Sequence, residues 1–134
     1  DLNMFYLEPD FMPPLPWNKC SVILQSSQKL LKDIWQGDID FLFIDGCHGY
    51  ECAKNDFING SRFVRQGGIV AFHDANPGCQ GRDLQPHCNT GIDVRRAIQD
   101  LGLFDGRASG WKFIEETAGG NSMAFFQKIR QDRL

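Results

Sequence analysis

The 134-residue sequence contains no apolar run near the roughly 20 residues that a helix needs to cross a bilayer. It also lacks clusters of lysine and arginine, and its formal net charge is −3. A nucleic-acid partner therefore has no electrostatic support, because such binding depends on basic side chains that neutralise phosphates. No basic segment followed by an apolar one opens the chain, so a signal peptide is not indicated. We expect neither a membrane nor a nucleic-acid partner.

Paired cysteine motifs are also absent. The chain has 5 cysteines, an odd number, and no two of them form a CxxC pair. This pattern favours reduced thiols in a cytoplasmic protein over a disulfide framework. Cys79, His87 and Cys88 share one polar loop and could bind zinc. Their spacing matches no common zinc module, so we favour the interpretation that they are ordinary loop residues.

Strands and helices alternate along most of the sequence. Residues 1–20 are rich in proline and read as an irregular N-terminal arm. Residues 21–134 read as one partial α/β domain, in which the alternation predicts a mostly parallel sheet flanked by helices. The last two strands are separated by a turn and predict a C-terminal antiparallel hairpin. The predicted strands are 21–25, 41–45, 68–73, 111–116 and 123–128, and the predicted helices are 28–35, 50–65 and 92–101.

Polar side chains follow two consecutive strands of this predicted sheet. Asp45 ends one strand, His73 and Asp74 end the next, and His48 lies three residues beyond Asp45. Ligands of open parallel sheets bind outside the carboxyl ends of the strands, where these residues would meet. A single strand-end aspartate often only caps a helix. Two aspartates with two histidines favour a functional site.

Both strand ends lie within longer motifs. Residues 39–46 read IDFLFIDG and are followed by His48 and by Tyr50 and Glu51, and residues 67–74 read GGIVAFHD. These segments resemble the fourth and fifth strands of class I S-adenosylmethionine (SAM)-dependent methyltransferases. The resemblance covers about residues 20–130 and is strongest over residues 40–74. It implies a Rossmann-like sheet and methyl transfer to the hydroxyl of a small-molecule substrate.

The resemblance also implies roles for the strand-end residues. Metal-dependent O-methyltransferases of this kind hold a divalent ion such as Mg²⁺ or Mn²⁺ at the positions of Asp45, His73 and Asp74. Their catalytic base corresponds to His48, which would take the proton from the substrate hydroxyl. The family more often has a carboxylate at the position of His73, and a nitrogen ligand there favours softer ions than Mg²⁺. Alternatively, His73 points into the sheet and only the two aspartates matter.

The cofactor site carries the largest departures from the family. Asp1 corresponds to the residue that grips the SAM ribose, and Ser26 and Ser27 lie where adenine would bind. However, Ser26 and Cys47 both stand where acidic residues are usual, and the sequence has no glycine-rich GxGxG loop to cradle SAM. We therefore expect the N-terminal part of the fold to be missing, and this chain to be a fragment that is inactive alone.

The sequence is also compatible with two other functions, and it predicts an assembly state. The chain could be a non-catalytic remnant that acts as an interaction module, or, with weaker support, a metal-dependent hydrolase. Without a first strand, the strand at residues 41–45 would have an open, apolar edge. We expect this edge to make the chain a homo-oligomer, unless the strand at residues 21–25 fills the vacant position.

Overall fold

The computed structural model describes residues 27–29, 38–75, 88–118 and 122–130. The arm at residues 1–20, the strand at 21–25 and the zinc candidates Cys79 and His87 lie outside these ranges, as does the side chain of Cys88. None of the described helices is long and apolar enough to cross a membrane. The elements are α1 (Ser27–Lys29), β1 (Ile39–Ile44), α2 (Tyr50–Ser61), β2 (Val64–His73), α3 (Cys88–Asp100), β3 (Trp111–Glu116) and β4 (Met123–Lys128).

The four described strands form one mixed sheet in the order β1-β2-β4-β3. Strands β1 and β2 are parallel, and β4 runs antiparallel to both of its neighbours, β2 and β3. Strands β3 and β4 have the predicted bounds and the predicted antiparallel pairing. The predicted α/β class with a C-terminal antiparallel pair is therefore confirmed for the described residues. The expectation of a mostly parallel sheet is wrong for them, because only one of the three strand pairings is parallel. Because β2 lies between β1 and β4, the end of β2 is held on both sides.

The core lies where the helices cover the sheet. Phe72 of β2 and Phe126 of β4 are fully buried, and their rings meet edge to face with centroids 6.1 Å apart. Phe57 of α2 packs on Phe72 and on Trp111, at 5.8 and 5.2 Å between ring centroids. Residues 68–72 of β2 are apolar on both faces, as expected of a central strand. Each buried aromatic ring contributes about 2–3 kcal/mol of transfer free energy, which anchors the two strand ends.

The boundary between α2 and β2 differs from the prediction. The helix expected over 50–65 ends at Ser61, and β2 begins at Val64 instead of Gly68. Gly67 and Gly68 therefore lie inside the strand and do not end the helix. Gly67 has a φ of +83°, and a Cβ on Gly68 would lie 3.0 Å from the carbonyl oxygen of Asp40. The pairing register between β1 and β2 shifts here, so the glycines form a bulge. Helix α3 also begins before the predicted residue 92.

Among the described strands β1 lies at one end of the sheet, and it exposes two stacked phenylalanines. Phe41 is 54% exposed and Phe43 is 45% exposed, and their ring centroids lie 6.4 Å apart, whereas Ile44 is buried. The outer strand at the other end of the sheet, β3, carries charged Lys112, Glu115 and Glu116, but β1 has neither lysine nor proline. We propose that the β1 edge pairs with the β1 edge of a second copy, related by a two-fold axis.

Sedimentation of the chain tests this homo-oligomer. We expect a dimer at micromolar concentration, and we expect Phe41→Lys to convert it to a monomer by placing a charge in the paired edge. Ile114→Lys is the matched control, because Ile114 is 44% exposed on the opposite outer strand. A monomeric chain at all micromolar concentrations, with rapidly exchanging β1 amides, would show that the edge stays open.

Candidate functional site

Four side chains meet at the carboxyl ends of β1 and β2. The Nδ1 atom of His73 lies 3.2 Å from Oδ1 of Asp45 and 3.3 Å from Oδ1 of Asp74. The Nε2 atom of His48 lies 3.1 Å from Oδ2 of Asp74 and 3.7 Å from Oδ1 of Asp45. The sequence predicts this cluster from strand order alone, and the structure confirms the clustering.

Strand register and one unusual backbone angle place these groups. Ile44 pairs with Phe72. The residues that follow them in sequence, Asp45 and His73, therefore lie side by side. Asp74 has a φ of 56°, in the left-handed region that residues other than glycine rarely adopt. Such a conformation costs about 1 kcal/mol or more and is often found at functional sites. This turn ends β2 while the Asp74 carboxylate stays in contact with His48.

The ring nitrogen Nδ1 of His73 is buried and has no hydrogen-bond partner among the described residues. The two carboxylate oxygens near it are within reach but are not aligned for a hydrogen bond. A buried polar atom in this position is costly unless something else binds it. A cation shared with the carboxylates would satisfy it.

The donor set suits a divalent ion. Three side chains, those of Asp45, His48 and His73, each offer one ligand atom, and these atoms lie within 4.8 Å of one another. The carboxylate of Asp74 contacts both histidines. Carboxylate oxygens suit Mg²⁺, Ca²⁺ and Mn²⁺, whereas imidazole nitrogens suit ions such as Zn²⁺, Fe²⁺ or Ni²⁺. The four residues therefore fit a metal that accepts mixed nitrogen and oxygen ligands.

Of the three predicted cofactor residues the structure describes only Ser27, which is not part of this cluster. Asp1 and Ser26 lie outside the described residues. Ser27 is exposed, and its hydroxyl donates a 2.6 Å hydrogen bond to Oδ1 of Asp56 in α2. Asp56 also lies beneath the turn after β1, since a Cβ on Gly46 would be 3.6 Å from its Oδ2. A role in cofactor binding stays a prediction for all three residues.

Burial of Asp56 predicts a specific pH dependence of stability. Partial burial raises the pKa of Asp56 above its ordinary value of 3.8, and the hydrogen bond from Ser27 partly opposes this shift. A raised pKa means that the folded state holds the proton more tightly than the unfolded state. The carboxyl therefore favours folding below about pH 3.8, and this contribution is lost as the pH rises through the folded-state pKa.

We expect Asp56→Asn to raise the urea midpoint of unfolding at pH 7 more than at pH 3.5, because the amide never ionises. Ser27→Ala should instead lower the urea midpoint, because it removes the hydrogen bond that stabilises the ionised form of Asp56. The decrease should be larger at pH 7 than at pH 3.5. Parallel pH profiles for the wild type and Asp56→Asn would contradict this account.

A disulfide encloses the turn that carries His48. Cys47 and Cys52 are bonded, with Cα atoms 5.7 Å apart. The expectation of reduced thiols throughout is therefore wrong for this pair. The turn before α2 folds back on the first turn of the helix, which brings the two cysteines together. A covalent loop this short stabilises the fold by about 2 kcal/mol in a chain-entropy description and holds the backbone of His48 in place. The cytoplasmic location stays a prediction.

Comparison with known proteins agrees with the motifs. Residues 16–75 match the model of a family described as a methyltransferase domain, and this segment includes all four clustered residues. The structure is similar to cofactor-bound Rv0187 from MTB, with 18% identity and a TM-score of 0.61, covering 81% of this chain and 49% of that one. It is also similar to the O-methyltransferase TomG from Streptomyces achromogenes, solved in complex with SAM, with 19% identity and a TM-score of 0.52.

The TomG match covers 75% of this chain and 44% of TomG, so the chain spans about half the length of the solved structures it matches. These structural likenesses establish the fold, and the family match covers both strand ends that carry the motifs. The chain is therefore similar to the methyltransferase domain family over residues 16–75.

Proposed function

We propose that the chain forms the acceptor-side part of a SAM-dependent O-methyltransferase that acts on the hydroxyl of a small molecule. The family match and the likeness to an O-methyltransferase solved with SAM support this function. The observation that carries it is the buried, unsatisfied Nδ1 of His73 between the carboxylates of Asp45 and Asp74. That arrangement suits a metal-assisted reaction at an oxygen.

Asp45, His73 and Asp74 would hold the divalent ion. When bound, the ion supplies Lewis-acid chemistry that lowers the pKa of a coordinated hydroxyl. The side chain of Asp45 is 43% exposed, and those of His73 and Asp74 are 22% and 17% exposed. The site is therefore open enough for a substrate on the side of Asp45 and closed beneath His73.

His48 is the proposed general base. Its side chain is 34% exposed, so a substrate hydroxyl can reach it, and Nε2 lies 3.1 Å from Asp74. In the transfer, the hydroxyl oxygen forms a bond to the methyl carbon of SAM as the carbon–sulfur bond breaks. The hydroxyl proton moves to His48, and S-adenosylhomocysteine leaves as a neutral thioether. Asp74 would hold the imidazole in place and stabilise the positive charge that it gains.

Mass-spectrometric detection of methyl transfer to a panel of catechols and other hydroxyl compounds tests this function. The protein is assayed as this chain and as a longer version that includes a glycine-rich SAM loop. We expect transfer, and SAM binding by calorimetry, in the longer version only. His48→Gln should lower kcat about 10²–10⁴-fold, the range typical of a lost general base. Unchanged kcat in His48→Gln would exclude His48 as the base, and micromolar SAM binding by this chain alone would exclude a fragmentary cofactor site.

A further inference from the structure

Arg95 connects helix α3 to the residue that follows the site. Its side chain is only 12% exposed, and Nη1 donates hydrogen bonds to the carbonyl oxygen of Ala75 at 3.0 Å and to Oε2 of Glu116 at 2.8 Å. The guanidinium carbon lies 4.7 Å from the ring centroid of Phe104. A planar guanidinium held by an ion pair, a carbonyl and an aromatic face has little freedom to move.

The hydrogen bond from Arg95 to Ala75 lies next to the strained backbone of Asp74. Asp74, the preceding residue, has the left-handed backbone, and the pairing of β2 with β4 ends one residue earlier, at His73 and Met123. Ala75 is buried and receives the hydrogen bond from Arg95 just beyond that end. The strained turn is thus held by the sheet on one side and by Arg95 on the other.

We propose that Arg95 is a positioning residue, which holds the Asp74 carboxylate against His48 by fixing the backbone of Ala75. Arg95 does not touch the site itself, so its influence passes through the Asp74 backbone. Its importance for metal binding rests on the proposed function, whereas its effect on the contact between Asp74 and His48 does not. Glu116 forms an ion pair with Arg95, and we assign it no other role.

Two variants separate positioning from simple stabilisation. Arg95→Met keeps much of the side-chain volume and its packing on Phe104 but removes the hydrogen bond to Ala75. Glu116→Gln is the matched control, because it removes the ion pair and leaves Arg95 able to bond to Ala75. The metal-free chain has only 3 histidines, so the ring resonances of His48 can be assigned by NMR.

At a fixed pH we expect Arg95→Met to shift the His48 ring resonances and to speed amide exchange at Ala75, with the β4 resonances unchanged. Glu116→Gln should do neither. In a second measurement, Mn²⁺ affinity should fall about 10-fold or more in Arg95→Met, as is typical when a group that orients metal ligands is lost. Glu116→Gln should retain the wild-type affinity.

The outcomes distinguish this inference from the proposed function. Unchanged His48 resonances in a folded Arg95→Met chain would overturn the positioning role. If the resonances shift but even the wild type binds no Mn²⁺, the positioning role stands and the metal-assisted function fails. Should Arg95→Met not fold, Arg95→Lys replaces it, with a smaller shift of the same resonances expected; no shift there would also overturn the role.

Discussion

Replacing Asp45 with alanine is expected to lower methyl transfer by the active protein about 10³-fold or more, the upper range for loss of one preorganised electrostatic group. Asp45 offers the more exposed carboxylate of the cluster and lies 3.2 Å from Nδ1 of His73. Without it, the proposed metal loses a charged ligand, and the substrate hydroxyl loses the group that holds it in line. Steady-state kinetics with SAM and the methyl acceptor measure the loss.

The fold should tolerate this change, since substitutions at exposed positions usually alter the free energy of unfolding by no more than about 0.5 kcal/mol. Asp40→Ala is the matched control on the same strand. Asp40 is 76% exposed and pairs with Arg65, away from the cluster. Equal losses of activity in the two variants would contradict a specific role for Asp45.

Replacing Lys128 with alanine is expected to lower the free energy of unfolding by about 3 kcal/mol, within the range for truncating a large buried side chain. Lys128 of β4 is 2% exposed, and its Nζ donates a 3.0 Å hydrogen bond to the carbonyl oxygen of Ser61, the last residue of α2. Its Nζ also lies 5.7 Å from the ring centroid of Trp111. Truncation leaves a cavity and deprives a helix C-terminus of its donor.

Urea unfolding measures this loss. Lys128→Met should destabilise less, by about 1–2 kcal/mol, because it keeps the volume and loses the hydrogen bond. Lys112→Ala on the exposed face of β3 is the control and should have little effect. If the Lys128 and Lys112 variants were equally stable, the buried contact to Ser61 would not support the helix as described.

Sequence reasoning succeeded where local pattern and topology agree. Strands β3 and β4 are short segments rich in apolar residues and bounded by turns, and both have the predicted bounds. The cluster of Asp45, His73 and Asp74 was predictable because consecutive parallel strands bring their carboxyl ends together. No long-range contact needed to be known for that inference.

Features that depend on tertiary contacts were not predictable. Val64 continues the helical stripe of α2 in sequence, yet pairing with Ile39 places it in β2. The spacing of Cys47 and Cys52 does not reveal that the intervening turn folds back to join them. Likewise, a lysine near the end of a strand gives no sign of burial until α2 is placed over the sheet.

Mn²⁺ binding followed by electron paramagnetic resonance tests the central claim most directly, because the cluster at the ends of β1 and β2 is proposed to hold a divalent ion in this chain. We predict one bound Mn²⁺ per chain in the wild type and in Asp40→Ala, and loss of that binding in Asp45→Ala and His73→Ala. No Mn²⁺ binding by the folded wild type, or binding that persists unchanged in Asp45→Ala and His73→Ala, would contradict the account.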